Sequence, residues 1–410
     1  MFCGVTLREL KQFDAALASY DQAIAIIPDY EEAYTHRGFV LTELEQFDAA
    51  LASYDRAISL KPDYAEAYPY RGCVLTHLKQ HGAALADYDR AIALKPDYAD
   101  AYLIRSMARL LRGDLENGWI DYEWRRRNPD GSPKDQRFFA QTQWLGEESI
   151  AGKKILLHGE QGLGDTLQFC RYVKSVAALG STVILEVQWP LKSLLAGLEG
   201  VSQIIASGED LPEFEYQCPL MSLPLAFKTT LTTIPSSPRY LNADPSKVAR
   251  WHTRLGQKTA ARAGLVWRGN PMHMKDHNRS IELPDLIRHL PPGLQYVSLQ
   301  KDVRDDERRI LGSLDVLQFA DDLEDFSDTA ALCECMDVVI SVDTSVAHLS
   351  GALGRRTWIL LPAMPDWRWL LDREDSPWYP TARLYRRQSG LKWNSVLERV
   401  EADLIRTFHI

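Results

Sequence analysis

The strongest constraint on this chain is a repeat. FDAALASYDQAIAIIPDY at Phe13 returns as FDAALASYDRAISLKPDY at Phe47 and as HGAALADYDRAIALKPDY at His81, in steps of 34 residues. Tyr20, Tyr54 and Tyr88 hold the register, as do Ala23, Ala57 and Ala91, and Pro28, Pro62 and Pro96. A unit of this length buries its apolar face only by stacking on its neighbours. Small residues recur where paired helices must approach closely (Gly38 and Gly72; Ala16, Ala50 and Ala84), and Tyr34, Tyr68 and Tyr102 recur where pairs interlock. Each proline closes a second helix, because proline cannot continue one. The first third is predicted to be an α-solenoid.

The period and these positions resemble the tetratricopeptide repeat, with about three and a half repeats over residues 1–127. The resemblance implies a protein or peptide partner. Met1 falls in register with Thr35 and Pro69, and Gly4 with Gly38, so the chain reads as opening inside a first helix. A solenoid end of that kind exposes apolar surface, which fits a longer natural start or a docked partner. At the other end, LENGWIDYEWRRR (Leu115 to Arg127) is expected to be a last helix whose Trp119, Tyr122 and Trp124 pack against the succeeding part of the chain.

At 410 residues the chain needs two or three domains. A net charge of −9 argues against general nucleic-acid or anionic-membrane binding, and no apolar run approaches the ~18 residues of a membrane span. Six cysteines include no C-x-x-C pair, and Cys333 and Cys335 read as core. Arg8 and Glu9 arrive before any apolar leader could form, so a cytoplasmic location is expected.

NPDGSPKD (Asn128 to Asp135) is a turn-rich break, and 128–151 reads as a linker with Trp144 buried. A first α/β half occupies 152–240. KKILLH is a strand, GEQGLGD (Gly159 to Asp165) a Gly-rich turn, Thr166 to Leu179 a helix and STVILEV the next strand. The glycines are spaced G-x-x-G-x-G rather than G-x-G-x-x-G, so a dinucleotide site is disfavoured even with Glu186 ending the second strand. Residues 241–262 connect to a second half at 263–390, and a C-terminal helix at 391–410 is expected to cross back to the first half. In the second half DVVISVDTSVAHLSGALGRRTWILLP (Asp337 to Pro362) reads as strand, turn, helix and strand. The helix start at Thr344 and Ser345 suits an anion, and ordinary helix capping by Asp343, Thr344 and Ser345 explains it equally well. Two Rossmann-like halves in tandem predict a cleft between them.

VDTSVAHLSGAL with GEQGLGD resembles the ADP-heptose-using heptosyltransferases. The fuller set HGEQGLGDTLQFCRY, GLVWRGNPMHMKDHNRSI, DTAAL and PDWRWLLDREDSPWYPTARLYRRQ resembles bacterial tetratricopeptide proteins carrying a heptosyltransferase-like domain (glycosyltransferase family 9-like), over nearly the whole chain. That resemblance implies a GT-B fold and a metal-independent glycosyltransferase. It would use a nucleotide-diphosphate sugar as donor substrate and need no cofactor. It implies Asp165 as general base, Thr344 and Ser345 offering backbone N–H groups to the diphosphate, His348 nearby and Asp343 facing sugar hydroxyls. Arg279 or Lys275 would neutralise the departing diphosphate, with Arg268 a weaker candidate. Gly162, Gly164, Trp267, Asn270 and Gln300 would complete the nucleotide-sugar site. Ser345 stands where these enzymes usually have glycine, and the first half is short, so the repeats are expected to supply part of the acceptor surface.

One base and no second nucleophilic carboxylate are apparent in the sequence, which predicts inversion at the anomeric carbon. Asp87–Tyr88–Asp89, the one Asp-x-Asp triplet, sits in a repeat helix and is expected to be solvated surface. His273 and His277 are four apart but in a Gly/Asn/Pro-rich loop, so no metal site is expected. Asp165 also fits a helix-capping role, and Trp367, Trp369, Trp378 and Tyr379 fit core packing better than sugar stacking. The competing reading is a repeat scaffold whose transferase-like half has lost turnover.

Overall fold

The computed structural model describes residues 2–127, 139–272 and 276–410. The chain divides into two compact units, 1–134 and 135–410.

The first unit is a stack of antiparallel helix pairs: Phe2–Glu9 with Phe13–Ile26, Glu31–Glu43 with Phe47–Leu60, Ala67–His77 with His81–Leu94, and Ala99–Leu111 with Leu115–Tyr122. Glycines at the 34-residue spacing let each tyrosine ring lie against the facing helix. A Cβ at Gly4 or Gly38 would stand 2.7 Å from the Tyr20 or Tyr54 ring. A ladder of guanidiniums joins consecutive repeats. Arg71 binds Asp55 at 2.7 Å and Asp87 at 2.6 Å, and Arg105 binds Asp89 at 2.6 Å and Asp121 at 2.7 Å. Asp87 is therefore buried and paired rather than solvated, since this position faces the adjoining helix. Trp124 stacks on Tyr102 inside the same unit, with ring centroids 3.9 Å apart.

The second unit holds two wholly parallel sheets. The first contains β1 (Thr142–Gln143), β2 (Lys154–His158), β3 (Thr182–Val187), β4 (Val201–Ala206) and β5 (Tyr216–Pro219), in the order β1-β5-β2-β3-β4. Residues 142–143 thus belong to a sheet rather than to a linker, and Trp144 is buried behind them. The second contains β6 (Arg262–Val266), β7 (Gln295–Ser298), β8 (Val316–Gln318), β9 (Val338–Val342), β10 (Thr357–Leu361) and β11 (Ala382–Arg386), in the order β11-β10-β9-β6-β7-β8. Strands β6, β9 and β10 are buried at every residue, as expected of central strands of a parallel sheet covered on both faces.

Both orders reverse beside the first central strand. After β2, β3 and β4 the chain returns to place β5 on the other side of β2, and after β6, β7 and β8 it places β9 beside β6. Such reversals open a crevice at the carboxyl ends of the strands, where parallel sheets hold ligands. The C-terminal helix Asn394–Phe408 packs Val396, Leu397, Val400 and Leu404 into the core of the second sheet with Trp358 and Tyr385. It does not cross to the first half, because its apolar stripe is already covered there.

Candidate functional site

The two reversal points face each other. Helix Leu163–Phe169 begins at the Gly-rich turn after β2, three residues earlier than the sequence predicts, so Asp165 lies in its first turn. The Asp165 carboxylate accepts the Gly162 N–H at 2.8 Å, and its other oxygen accepts from Arg368. Capping and a cleft position thus fall on the same residue. Helix Ser345–Ala352 begins after β9 and meets the first turn of helix Leu163–Phe169. A Cβ on Gly164 would lie 2.8 Å from the His348 ring and 3.6 Å from Ser345 Cα. Glycine at 164 is required by this approach, not by an unusual backbone angle.

Around that contact the cleft collects charge. Arg279, from the short helix Asp276–Arg279 after β6, donates to the Asp343 carbonyl at 2.8 Å and to the Asp276 carboxylate at 3.0 Å. Arg368 donates to Asp366 at 2.7 Å as well as to Asp165, and its guanidinium lies 4.1 Å from the centre of the Trp367 ring. Asp343 is mostly enclosed. Burial, with the neighbouring Asp366 carboxylate, raises its pKa to about 6 against the opposing pull of Arg279. Burial likewise raises Asp165, with Arg368 opposing. Burial also works against ionisation of Asp366, yet Arg368 and its backbone N–H hold that carboxyl below the ordinary range. His348 is neutral: burial and the nearby Arg368 lower its pKa to about 3. Its Nδ1 pairs with the Tyr379 hydroxyl at 2.8 Å, its Nε2 is 4.0 Å from Asp343 and its ring stacks on Trp369.

The structure therefore brings Gly162, Gly164, Asp165, Arg279, Asp343, Thr344, Ser345 and His348 to one place. Thr344 precedes the helix with an extended backbone, and its hydroxyl is within 3.0 Å of the Ser341 hydroxyl rather than capping. Three further expected residues are engaged with other protein groups. Trp267 is fully buried, with its indole N–H on Glu307 at 2.8 Å, so its side chain is core. Gln300 accepts the Arg268 N–H at 3.4 Å, and Asn270 accepts the Met272 N–H at 2.9 Å, which closes a turn. Lys275 and His273 lie outside the described residues. Glu186 is buried within β3 opposite His158, so it does not present a carboxylate to a ribose. Among the described residues no cluster of three His, Cys, Asp or Glu has the geometry to hold a metal ion.

Asp366, Arg368 and Trp369 were not singled out as site residues in the sequence. Their signal was position: Asp366 follows β10, at the same carboxyl edge as Asp343 after β9. The expectation of a single carboxylate is revised accordingly, because Asp343 and Asp366 stand with Asp165 about the Arg368–Arg279 pair. A cavity of about 550 Å³, which shares no lining residue with that cluster, opens at the carboxyl ends of β6, β7 and β8 and is lined by Arg268, Lys301, Asp302, Arg304, Arg308 and Asp321 among others. Across the cleft the buried Arg171 donates to the Trp378 carbonyl at 2.7 Å and the Tyr240 hydroxyl at 2.9 Å, tying the first half to the second.

Comparison with known proteins bears first on the repeats. A tetratricopeptide repeat model matches residues 41–109 and a TPR repeat model residues 4–44. Protein FlbA of Caulobacter vibrioides is 26% identical over 332 residues, covering 74% of this chain and 54% of that protein. That alignment is longer than the repeat unit and so extends into the second unit, and the chain spans about half the length of this curated relative. Among solved structures, MamA is 25% identical over 30% of this chain and 71% of its own, with a TM-score of 0.27. A thermophilic TPR protein of Thermus thermophilus is 22% identical over 30% of this chain and 68% of its own, with a TM-score of 0.28. No helix among the described residues is long and apolar enough to cross a membrane. Residues 4–109 are tetratricopeptide repeats, followed by an α/β unit of two parallel sheets.

Proposed function

We propose that the second unit is a GT-B glycosyltransferase acting from a nucleotide-diphosphate sugar, and that the repeats recruit its protein or peptide acceptor. One observation carries the reading: two helix N-termini at two sheet reversal points abut through Gly164 and His348, with Asp165, Asp343, Arg279 and Arg368 around them. In this reading the first turn of Ser345–Ala352 offers backbone N–H groups to the diphosphate. Arg279 and Arg368 stabilise the charge that develops as it leaves. The basic cavity beside β6, β7 and β8 takes the nucleoside, and its volume lies in the range of ligand pockets.

The acceptor O–H gives its proton to Asp165. Its oxygen bonds the anomeric carbon while the bond from that carbon to the phosphate oxygen breaks, leaving the electron pair on the diphosphate. A single displacement of this kind inverts the configuration. A retained configuration would instead make Asp343 or Asp366 a nucleophile. Tethering the repeats to the transferase raises the local concentration of a bound acceptor without any new contact.

The competing reading, a repeat scaffold without turnover, draws on the same site, because both Asp165 oxygens are already engaged. Thermal unfolding with UDP, ADP, GDP and CMP tests the choice, using wild type and the variants Asp343→Ala and Arg279→Ala. A nucleotide at 100 times its Kd adds about 2.7 kcal/mol to stability. An upward shift with one diphosphate, smaller in Arg279→Ala relative to that variant's own baseline, supports the transferase. No shift with any nucleotide supports the scaffold.

A further inference from the structure

We infer that Arg368 is a donor-gated clamp on the base: it holds Asp165 until an entering nucleoside diphosphate draws the guanidinium away, and only then can Asp165 take the acceptor's proton. The inference rests on the transferase reading and deepens it.

The argument is one of charge. Among the described residues, Asp165, Asp343 and Asp366 surround the guanidiniums of Arg279 and Arg368, with His348 neutral and Glu160 also within electrostatic reach of Asp165. The buried Arg171 acts on His348 as well but is held by the Trp378 carbonyl and the Tyr240 hydroxyl. A diphosphate cannot settle among an excess of carboxylates unless it takes over a cation that one of them now holds. Arg279 is poorly placed to move, since it is fixed by Asp276 and by the Asp343 carbonyl. Arg368 is different, for its two carboxylate partners lie on opposite sides of the cleft, Asp165 in the first half and Asp366 in the second.

Asp366 is only two residues away and also takes the Arg368 backbone N–H at 3.0 Å, so it serves as the anchor. The Trp367 ring lies against the guanidinium plane. A diphosphate offers several oxygens and more than one negative charge, and a planar guanidinium binds such a group bidentately. Asp165 is then left with the Gly162 N–H alone, in an enclosed place where its basicity rises. The consequence is order: the base comes into use only once the donor is in place.

The test is calorimetric titration of the full chain with UDP, ADP, GDP and CDP, comparing wild type, D165N, R368Q and the double variant. The gate requires opposite signs. D165N releases Arg368 and tightens the diphosphate about fivefold or more, whereas R368Q weakens it about tenfold, and D165N has no further effect in the R368Q background. A bridge that merely braces the two halves would not tighten binding when broken. Circular dichroism establishes that each variant is folded, and R368K, which keeps the charge but loses the fork, replaces R368Q if that variant fails to fold. If a diphosphate binds wild type and D165N binds it equally or more weakly, the gate is wrong and the transferase reading stands. If none of the four binds wild type, both are wrong.

Discussion

Asp343 and His348 are neighbours whose pKa values are displaced in opposite senses from the solution values, and that pair sets the acid–base behaviour of the cleft. Asp343 holds its proton up to about pH 6, whereas an unfolded aspartate releases it near 3.9. The stability it contributes is therefore present below about pH 4 and lost as pH rises through 6. His348 works the other way. It stays neutral to about pH 3 while the unfolded imidazole protonates near 6.5, so its contribution is lost as pH falls below 6.5. Asp343→Asn is expected to raise the unfolding midpoint at pH 7.5 by a few degrees and to have little effect at pH 4, as scanning calorimetry at the two pH values would show. An equal effect at both would mean that Asp343 ionises normally. Gly164→Ala has the opposite direction at any pH. Its methyl group enters the His348 ring, and overpacking of this kind costs about 1–3 kcal/mol, measurable by urea unfolding of the second unit.

The repeat helices show how one structural position tolerates different residues at a cost. Each first helix ends in a left-handed residue, and these recur at the 34-residue spacing: Lys11 (φ 57°), Glu45 (φ 57°), Lys79 (φ 60°) and Gly113 (φ 84°). The backbone around Lys79 closes as a Schellman turn, with the Gln80 N–H on the Leu75 carbonyl at 2.8 Å. Only the last copy has the residue that adopts this angle without strain. Lys79→Gly is expected to stabilise the repeats by about 0.5–1 kcal/mol despite the greater freedom of the unfolded chain, an outcome a denaturant midpoint can refute. Asp87→Ala should do the reverse. It leaves Arg71 half-buried with only Asp55, and breaking a largely enclosed pair costs on the order of 3 kcal/mol.

At the scale of the molecule, two compact units predict two unfolding transitions rather than one. If the second unit holds the donor, a nucleoside diphosphate will raise one transition and leave the other in place. A peptide acceptor held by the repeats will raise the other. A single transition, or one ligand raising both, would show that the units are energetically coupled. Differential scanning calorimetry with each ligand in turn distinguishes these outcomes.

Much of this organisation was legible in the linear chain because it depends on spacing. The 34-residue period specified the helix pairs, the Gly–Tyr contacts and the proline stops, and short apolar runs beside Gly-rich turns marked β2, β6 and β9. Asp343, Thr344, Ser345 and His348 stood out for the same reason, since they open a helix after a strand that parallel pairing brings to the carboxyl edge, whereas Asp165 and Arg279 were singled out through the resemblance to heptosyltransferases. What only the tertiary structure decided was which side chains meet. Trp267 turned into the core because its indole N–H found Glu307, forty residues on. Arg368 became the partner of Asp165 across 203 residues of chain, a pairing made by the docking of two halves. Asp343 acquired its unusual proton affinity from burial beside Asp366. Local pattern fixes periodicity and turns, because those depend on near neighbours; electrostatic partnership depends on distances that exist only once the two sheets have packed.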